Sequence, residues 1–183
     1  TNIHLKMIDY KSNWLKFKTV KSLIAKETLD TFMNYQAKLE RQTGKQVKRV
    51  RTDGGKEYMK EFLAYIDLSG IIKEKAVGYT HHHPAKAERT NQTILRNGKA
   101  ILKESMLPAS FYNEAQQHAA YLFNRMPHGD NTISPFEYIF KRKPDLSNLQ
   151  PFGCICFAFL PKETITKIDG NGLKCRLLGY GDD

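Results

Sequence analysis

The sequence predicts an α/β fold, a mixed sheet flanked by helices with a small C-terminal β appendage. Stretches that alternate apolar and polar residues with period two are interleaved with longer stretches of helical spacing, in the order strand, strand, helix, strand, helix, strand. Acidic residues stand where strands stop, at Asp9 and Asp53, and the chain from Phe152 onward reads as strand again. At 183 residues it suits one compact unit that buries a core without disulfides or a structural metal.

His4 to Asp9 reads as the first strand, and Trp14 to Val20 (WLKFKTV) as a half-exposed neighbour joined to it by a hairpin. Ile24, Leu29, Phe32, Tyr35 and Leu39 recur at near helical spacing between Ser22 and Thr43, and Gly44 supplies the stop. Val47 to Arg51 is a third alternating strand that delivers Asp53 at its end. A helix fits Lys56 to Ser69, ending at Gly70, and IIKEKAV follows as a short strand. Pro84 suits the first turn of a long helix whose face is marked by Ala87, Asn91, Ile94, Leu95, Gly98, Ile101 and Leu102 as far as Met106. Ser110 is a candidate N-cap for a helix with the buried stripe Ala115, His118, Ala119 and Leu122. A short helix spans Phe136 to Phe140, and strands run over Phe152 to Leu160 and Leu173 to Tyr180. The expected division is a core at 1–126, a connecting helix and loop at 127–150 and a β extension at 151–183.

The 29 Lys+Arg against 19 Asp+Glu give a formal charge of +10, which favours a polyanionic partner such as nucleic acid or an anionic membrane surface. No run approaches the roughly 18–20 apolar residues of a membrane-spanning helix, and TNIHLKMIDYK is no secretory signal. The opening on a strand suggests a piece of a longer polypeptide. Cys154, Cys156 and Cys175 are odd in number and gathered at one end, a pattern expected of buried free thiols in a reducing compartment. The Cys154-Ile155-Cys156 run is expected to send its two thiols to opposite faces and so to hold no zinc.

Three carboxylates stand out: Asp9 and Asp53 at strand ends and Glu88 in the first turn of the long helix. Neighbouring carboxylates repel unless a divalent cation neutralises them, and hard oxygen ligands suit Mg²⁺ or Mn²⁺. Two such ions can activate an attacking oxygen and stabilise the leaving oxygen of a phosphodiester. Arg89 and Arg96, seven residues apart and nearly in register, with Lys99 and Lys103, would hold a nucleic-acid backbone. The bland alternative is an Asp before a turn glycine and a Glu complementing a helix dipole.

The chain reads MIDYKSN, RTDGGKEY and YTHHHPAKAERTNQT at these places, and LPASFYNEAQQHAAYLFNRMP, SPFEYIFKRKPDLSNLQPFGC and KIDGNGLKCRLLGYGDD downstream. In order, spacing and surroundings this resembles the DDE integrases of retrotransposons and retroviruses, and among them the Ty1/copia branch. The resemblance covers essentially the whole chain. It implies an RNase H-like fold, a segment of a Gag-Pol polyprotein, and DNA strand transfer by a two-metal site (Mg²⁺ or Mn²⁺) in which Asp9, Asp53 and Glu88 are both catalytic residues and metal ligands. It also implies DNA contacts from Lys86, Arg89, Asn91, Arg96 and Lys99, element ends and target DNA as partners, a homo-oligomer, no membrane association, and action in the nucleus. The pattern is altered at His81, His82, His83, Pro84 and Ala85, where the family has P-Q-Q-N-G, at Gly54 and Lys56, and at Tyr10 after the first aspartate. The triple histidine reads as a DNA contact, since successive residues of an extended loop cannot readily bind one ion. Two alternatives stay open: a relic that keeps the fold and only binds nucleic acid, and an RNase H-like nuclease that cuts without joining.

Overall fold

A computed structural model of the chain describes residues 3–20, 25–52, 60–75, 85–159 and 172–181. Strands β1 (Ile3–Ile8) and β2 (Leu15–Val20) form an antiparallel hairpin in which Leu5 faces Lys18 and Met7 faces Lys16. Helix α1 (Ala25–Thr43) ends at Gly44, whose φ of +65° lets its N–H reach the Glu40 carbonyl. Strands β3 (Arg49–Thr52) and β4 (Ile72–Lys75) pair in parallel across α2 (Glu61–Leu68). Then come α3 (Ala85–Ser105), α4 (Tyr112–Arg125), α5 (Pro135–Phe140) and the antiparallel pair β5 (Ile155–Phe159) and β6 (Gly172–Arg176).

Alternation along β1 sends successive side chains to two cores. Ile8 joins Leu15, Phe17, Ile94, Ile101, Ala119, Ala120 and Phe123, between the hairpin and helices α3 and α4. Met7 points the other way, to Phe32, Phe62, Ile66 and Ile71 beneath α1 and α2, a cluster that Val47 and Val50 also meet. The result is helix, sheet, helix in three layers. The α3–α4 crossing is close because Gly98 lacks a side chain: a Cβ there would stand 3.0 Å from Gln116 Cγ and 3.2 Å from its Cα.

The elements follow the predicted order, with differences that have local causes. The mixed sheet is divided among the described residues into the β1–β2 and β3–β4 ladders, which meet through side chains on the Phe32 and Phe62 cluster rather than through backbone pairing. Ser110 is not an N-cap: it lies in a 3₁₀ turn, Ala109–Phe111, and α4 starts after it with no side-chain cap. Ser134 is one, its hydroxyl accepting from the Glu137 N–H at 3.2 Å with Pro135 opening α5. The three cysteines are half-buried rather than buried, and Cys154 lies within electrostatic reach of Cys156 instead of facing away from it. A period of two returns residues i and i+2 to one face.

The β appendage is anchored at three points. Phe152 is buried against His118, ring centroids 5.4 Å apart. Tyr180 stacks on Tyr121 at 4.6 Å, and its hydroxyl oxygen accepts from the Gln150 N–H at 2.5 Å. Gly153, at φ +77°, presses against the end of α3, where a Cβ would meet Ser105 Cβ at 2.6 Å.

Candidate active site

The hairpin turn between β1 and β2 positions Asp9. Its N–H donates to the Trp14 carbonyl at 2.8 Å and its carbonyl accepts from Asn13 N–H at 3.0 Å, so the backbone is closed on both sides. The side chain is fixed as well: Oδ2 accepts from the Ser12 N–H at 2.7 Å and from the Ser12 hydroxyl at 2.6 Å. Ser12 is buried, and its Oγ in turn accepts from Trp14 N–H at 3.0 Å. Sequence reasoning passed over Ser12. The signal was present as an aspartate with a serine three residues on, a spacing that local side-chain-to-backbone bonding favours.

The first turn of α3 comes to the same turn. Lys86 Nζ donates to the Tyr10 carbonyl and stands 4.4 Å over the Tyr10 ring. Desolvation holds the Lys86 ammonium below its ordinary pKa, while the Asp9 carboxylate pulls it back up. The same carboxylate adds to the burial that pushes the Tyr35 phenol far upward. Lys86 therefore ties the helix start to the hairpin, so that one end of α3 and one end of β1 share a surface.

Glu88 is exposed in that first turn. At about 100° per residue, Arg89, Arg96, Lys99 and Lys103 follow it along the face opposite buried Ile94 and Gly98, and all four are exposed. Asn91 is exposed too, but at the same 100° per residue it falls on the side of Ile94 and Gly98, off that row. Lys86 lies on the flank of the row, turned to the hairpin. Thr52, the last residue of β3, is buried, and Arg51 beside it bonds Glu74 at 2.5 Å, as Arg49 does at 2.8 Å. These two guanidinium bonds hold the Glu74 carboxyl below its usual range. Asp53 and the altered stretch from His81 to Pro84 lie outside the described residues.

The donors suit a hard divalent cation. Both Ser12 bonds fall on Oδ2 of Asp9 and neither uses Oδ1, and the Glu88 carboxylate is open to solvent. Among the described residues no three His, Cys, Asp or Glu side chains gather as a metal group, and no helix is long and apolar enough to cross a membrane.

No family model matches the chain. Curated plant proteins do resemble it, among them the Pol polyproteins of two transposons. The chain is 40% identical over 159 residues, 86% of its length, to the retrovirus-related Pol polyprotein of transposon TNT 1-94 from Nicotiana tabacum. It is 30% identical over 152 residues, 82% of its length, to that of transposon RE1 from Arabidopsis thaliana. It spans only 12% and 10% of those two polyproteins. Among solved structures, the HTLV-2 integrase catalytic core domain, in complex with magnesium in a trimeric form, superposes with a TM-score of 0.56 at 18% identity, over 76% of this chain and 92% of that one. The catalytic core domain of BIV integrase superposes with a TM-score of 0.59 at 15% identity, over 76% and 86%. The fold is that of the integrase catalytic cores, which is RNase H-like.

Proposed function

We propose, from the premise that this chain belongs to the retrotransposon Pol polyproteins as their integrase core segment, that it carries out metal-dependent DNA strand transfer. The observation that supports the reading is the meeting of the β1 end, where Asp9 stands, with the first turn of α3, which carries Glu88, through the Lys86–Tyr10 contact. Asp9, Asp53 and Glu88 would hold two Mg²⁺ or Mn²⁺ ions. When bound, such ions polarise the scissile phosphodiester and favour the ionised form of an attacking 3′-hydroxyl.

The chain's own residues do the positioning. Ser12 holds the Asp9 carboxylate in one rotamer, and Lys86 fixes the approach of α3 to the hairpin. Arg89, Arg96 and Lys99 would meet the DNA backbone, because a row of cations seven and three residues apart on one helical face follows successive phosphates, and Asn91 would contact DNA separately, from another side of the helix near its start. The core takes residues 1–126, 127–150 connect, and 151–183 form the extension. Element ends and target DNA are the partners, with self-association of the core, and the nucleus, where chromosomal DNA lies, is the place of action.

The test is a DNA joining and disintegration assay with Mn²⁺ and then Mg²⁺, beside Asp53→Asn and Glu88→Gln. Joining should fall by ~10³-fold or more in each variant with the fold intact, as removal of one member of a catalytic set does. Joining retained in Asp53→Asn overturns the metal set. DNA binding without turnover in a full-length polyprotein context favours the relic.

One observation favours a second role for Asp9. Two short bonds from Ser12 make it a turn residue whose carboxylate is structurally employed. Asp9→Asn separates the roles, since an amide oxygen still accepts from Ser12 but carries no charge for a cation. A folded Asp9→Asn protein with full joining activity assigns Asp9 to the turn alone.

A further inference from the structure

Cys156 and Cys175 are directly opposed across the β5–β6 ladder. Opposed Cα atoms of an antiparallel pair stand about 4.5–5.5 Å apart, inside the roughly 4.4–6.8 Å that a disulfide spans. Both thiols are free and half-buried, within reach of solvent. The two side chains interact across the ladder, and Cys175 Sγ donates to the Leu173 carbonyl at 3.1 Å. Desolvation and then the facing Cys175 and Cys154 sulfurs hold the Cys156 thiol above its ordinary pKa, so thiol–disulfide exchange there quickens as pH rises.

We propose that Cys156 and Cys175 form an oxidative modification site, closing a reversible cross-strand disulfide that locks the register of the β5–β6 hairpin. An isolated two-stranded ladder is marginal in water, and this one exposes Ile155, Phe157 and Phe159 along its other face, so little packing holds it closed. The oxidant is a small disulfide such as oxidised glutathione. One protein thiolate attacks a glutathione sulfur, forms a mixed disulfide and expels a glutathione thiolate. The opposed thiolate then attacks the protein sulfur of that mixed disulfide, forms the cross-strand bond and expels the second glutathione. The two protein thiol protons pass to the two released thiolates, so one glutathione disulfide becomes two glutathione thiols.

Cys154 provides the control. In an unfolded chain, rings closed from Cys175 to Cys154 or to Cys156 differ by two residues and form with nearly equal ease. The experiment incubates purified wild-type, Cys154→Ser and Cys156→Ser chains across a series of glutathione redox ratios, blocks remaining thiols, and counts them by mass. Tandem mass spectrometry of the wild type locates the link. The folded Cys154→Ser protein is expected to oxidise at least tenfold more readily than folded Cys156→Ser, with the difference vanishing in guanidinium. Equal oxidation of the two folded variants overturns the proposal, as does a wild-type link that runs chiefly to Cys154.

Discussion

Single side chains stand in for backbone at several points, and Asn124 is the clearest. Its Oδ1 accepts from the Leu15 N–H at 2.8 Å and its Nδ2 donates to the Leu15 carbonyl at 2.7 Å, both bonds buried. A helix side chain thus acts as the strand neighbour that the first residue of β2 lacks. Replacement by leucine fills the space but orphans one donor and one acceptor, so Asn124→Leu should lose about 3 kcal/mol of unfolding free energy, read from urea melts. A loss below about 1 kcal/mol would mean that water reaches Leu15. His118 makes a pH prediction. Burial between Phe152 and Tyr180 lowers its pKa below 6.5. The unfolded chain therefore takes up a proton first as pH falls, and the stability that neutral His118 contributes is complete above pH 6.5 and declines below it. Wild type compared with His118→Phe between pH 7.5 and 5 should show the variant losing less of its melting temperature. Parallel curves would place the acid sensitivity elsewhere, His4 being next because burial lowers it too.

Elements explain which parts of the molecule could be read in advance. The β1–β2 hairpin, α1, α3 and the β3–α2–β4 unit were legible because each carries a strong period and a stop such as Gly44 or Gly70. The start of α4 was not legible, since Ser110 looks like a cap and only packing decides that a 3₁₀ turn intervenes. Nor was the division of the sheet, because periodicity says that a strand exists but not which edge it pairs. At the site, Glu88 in a first turn and the basic row behind it follow from helix geometry alone. The Ser12 clasp and the Lys86–Tyr10 tie depend on tertiary approach, which one sequence does not display. The attachment of the β appendage gives the prediction at this scale. Gly153 combines a left-handed φ with a Cβ direction aimed at Ser105, so Gly153→Ala adds about 1–2 kcal/mol of backbone strain and a clash besides. The ladder bond from Leu177 N–H to the Cys154 carbonyl should open more often, and amide exchange at Leu177 should quicken by tenfold or more. Unchanged protection at Leu177 would show that the Tyr180 and Phe152 contacts suffice.

The charge of +10 includes a row of exposed cations on one face of α3, whose part in DNA binding can be tested apart from catalysis. Arg96 and Lys99 are exposed on α3 and turned away from the Gly98–Gln116 crossing that holds the helix down, so their removal should leave the fold undisturbed. Each phosphate contact releases counterions when it forms, which makes the slope of log affinity against log salt a count of such contacts. If α3 lies along a DNA backbone, Arg96→Ala and Lys99→Ala should each flatten that slope by about 1 and weaken binding alike for every sequence, and the double variant by about 2. Lys45→Ala, an exposed lysine beyond the end of α1, is the comparison and should change neither the slope nor the affinity by as much. Equal effects from all three positions would mean that net charge alone attracts the DNA. A flattening confined to the α3 variants would locate the backbone track on the same helix that carries Glu88, and would orient the DNA across the surface where that helix meets the β1 turn.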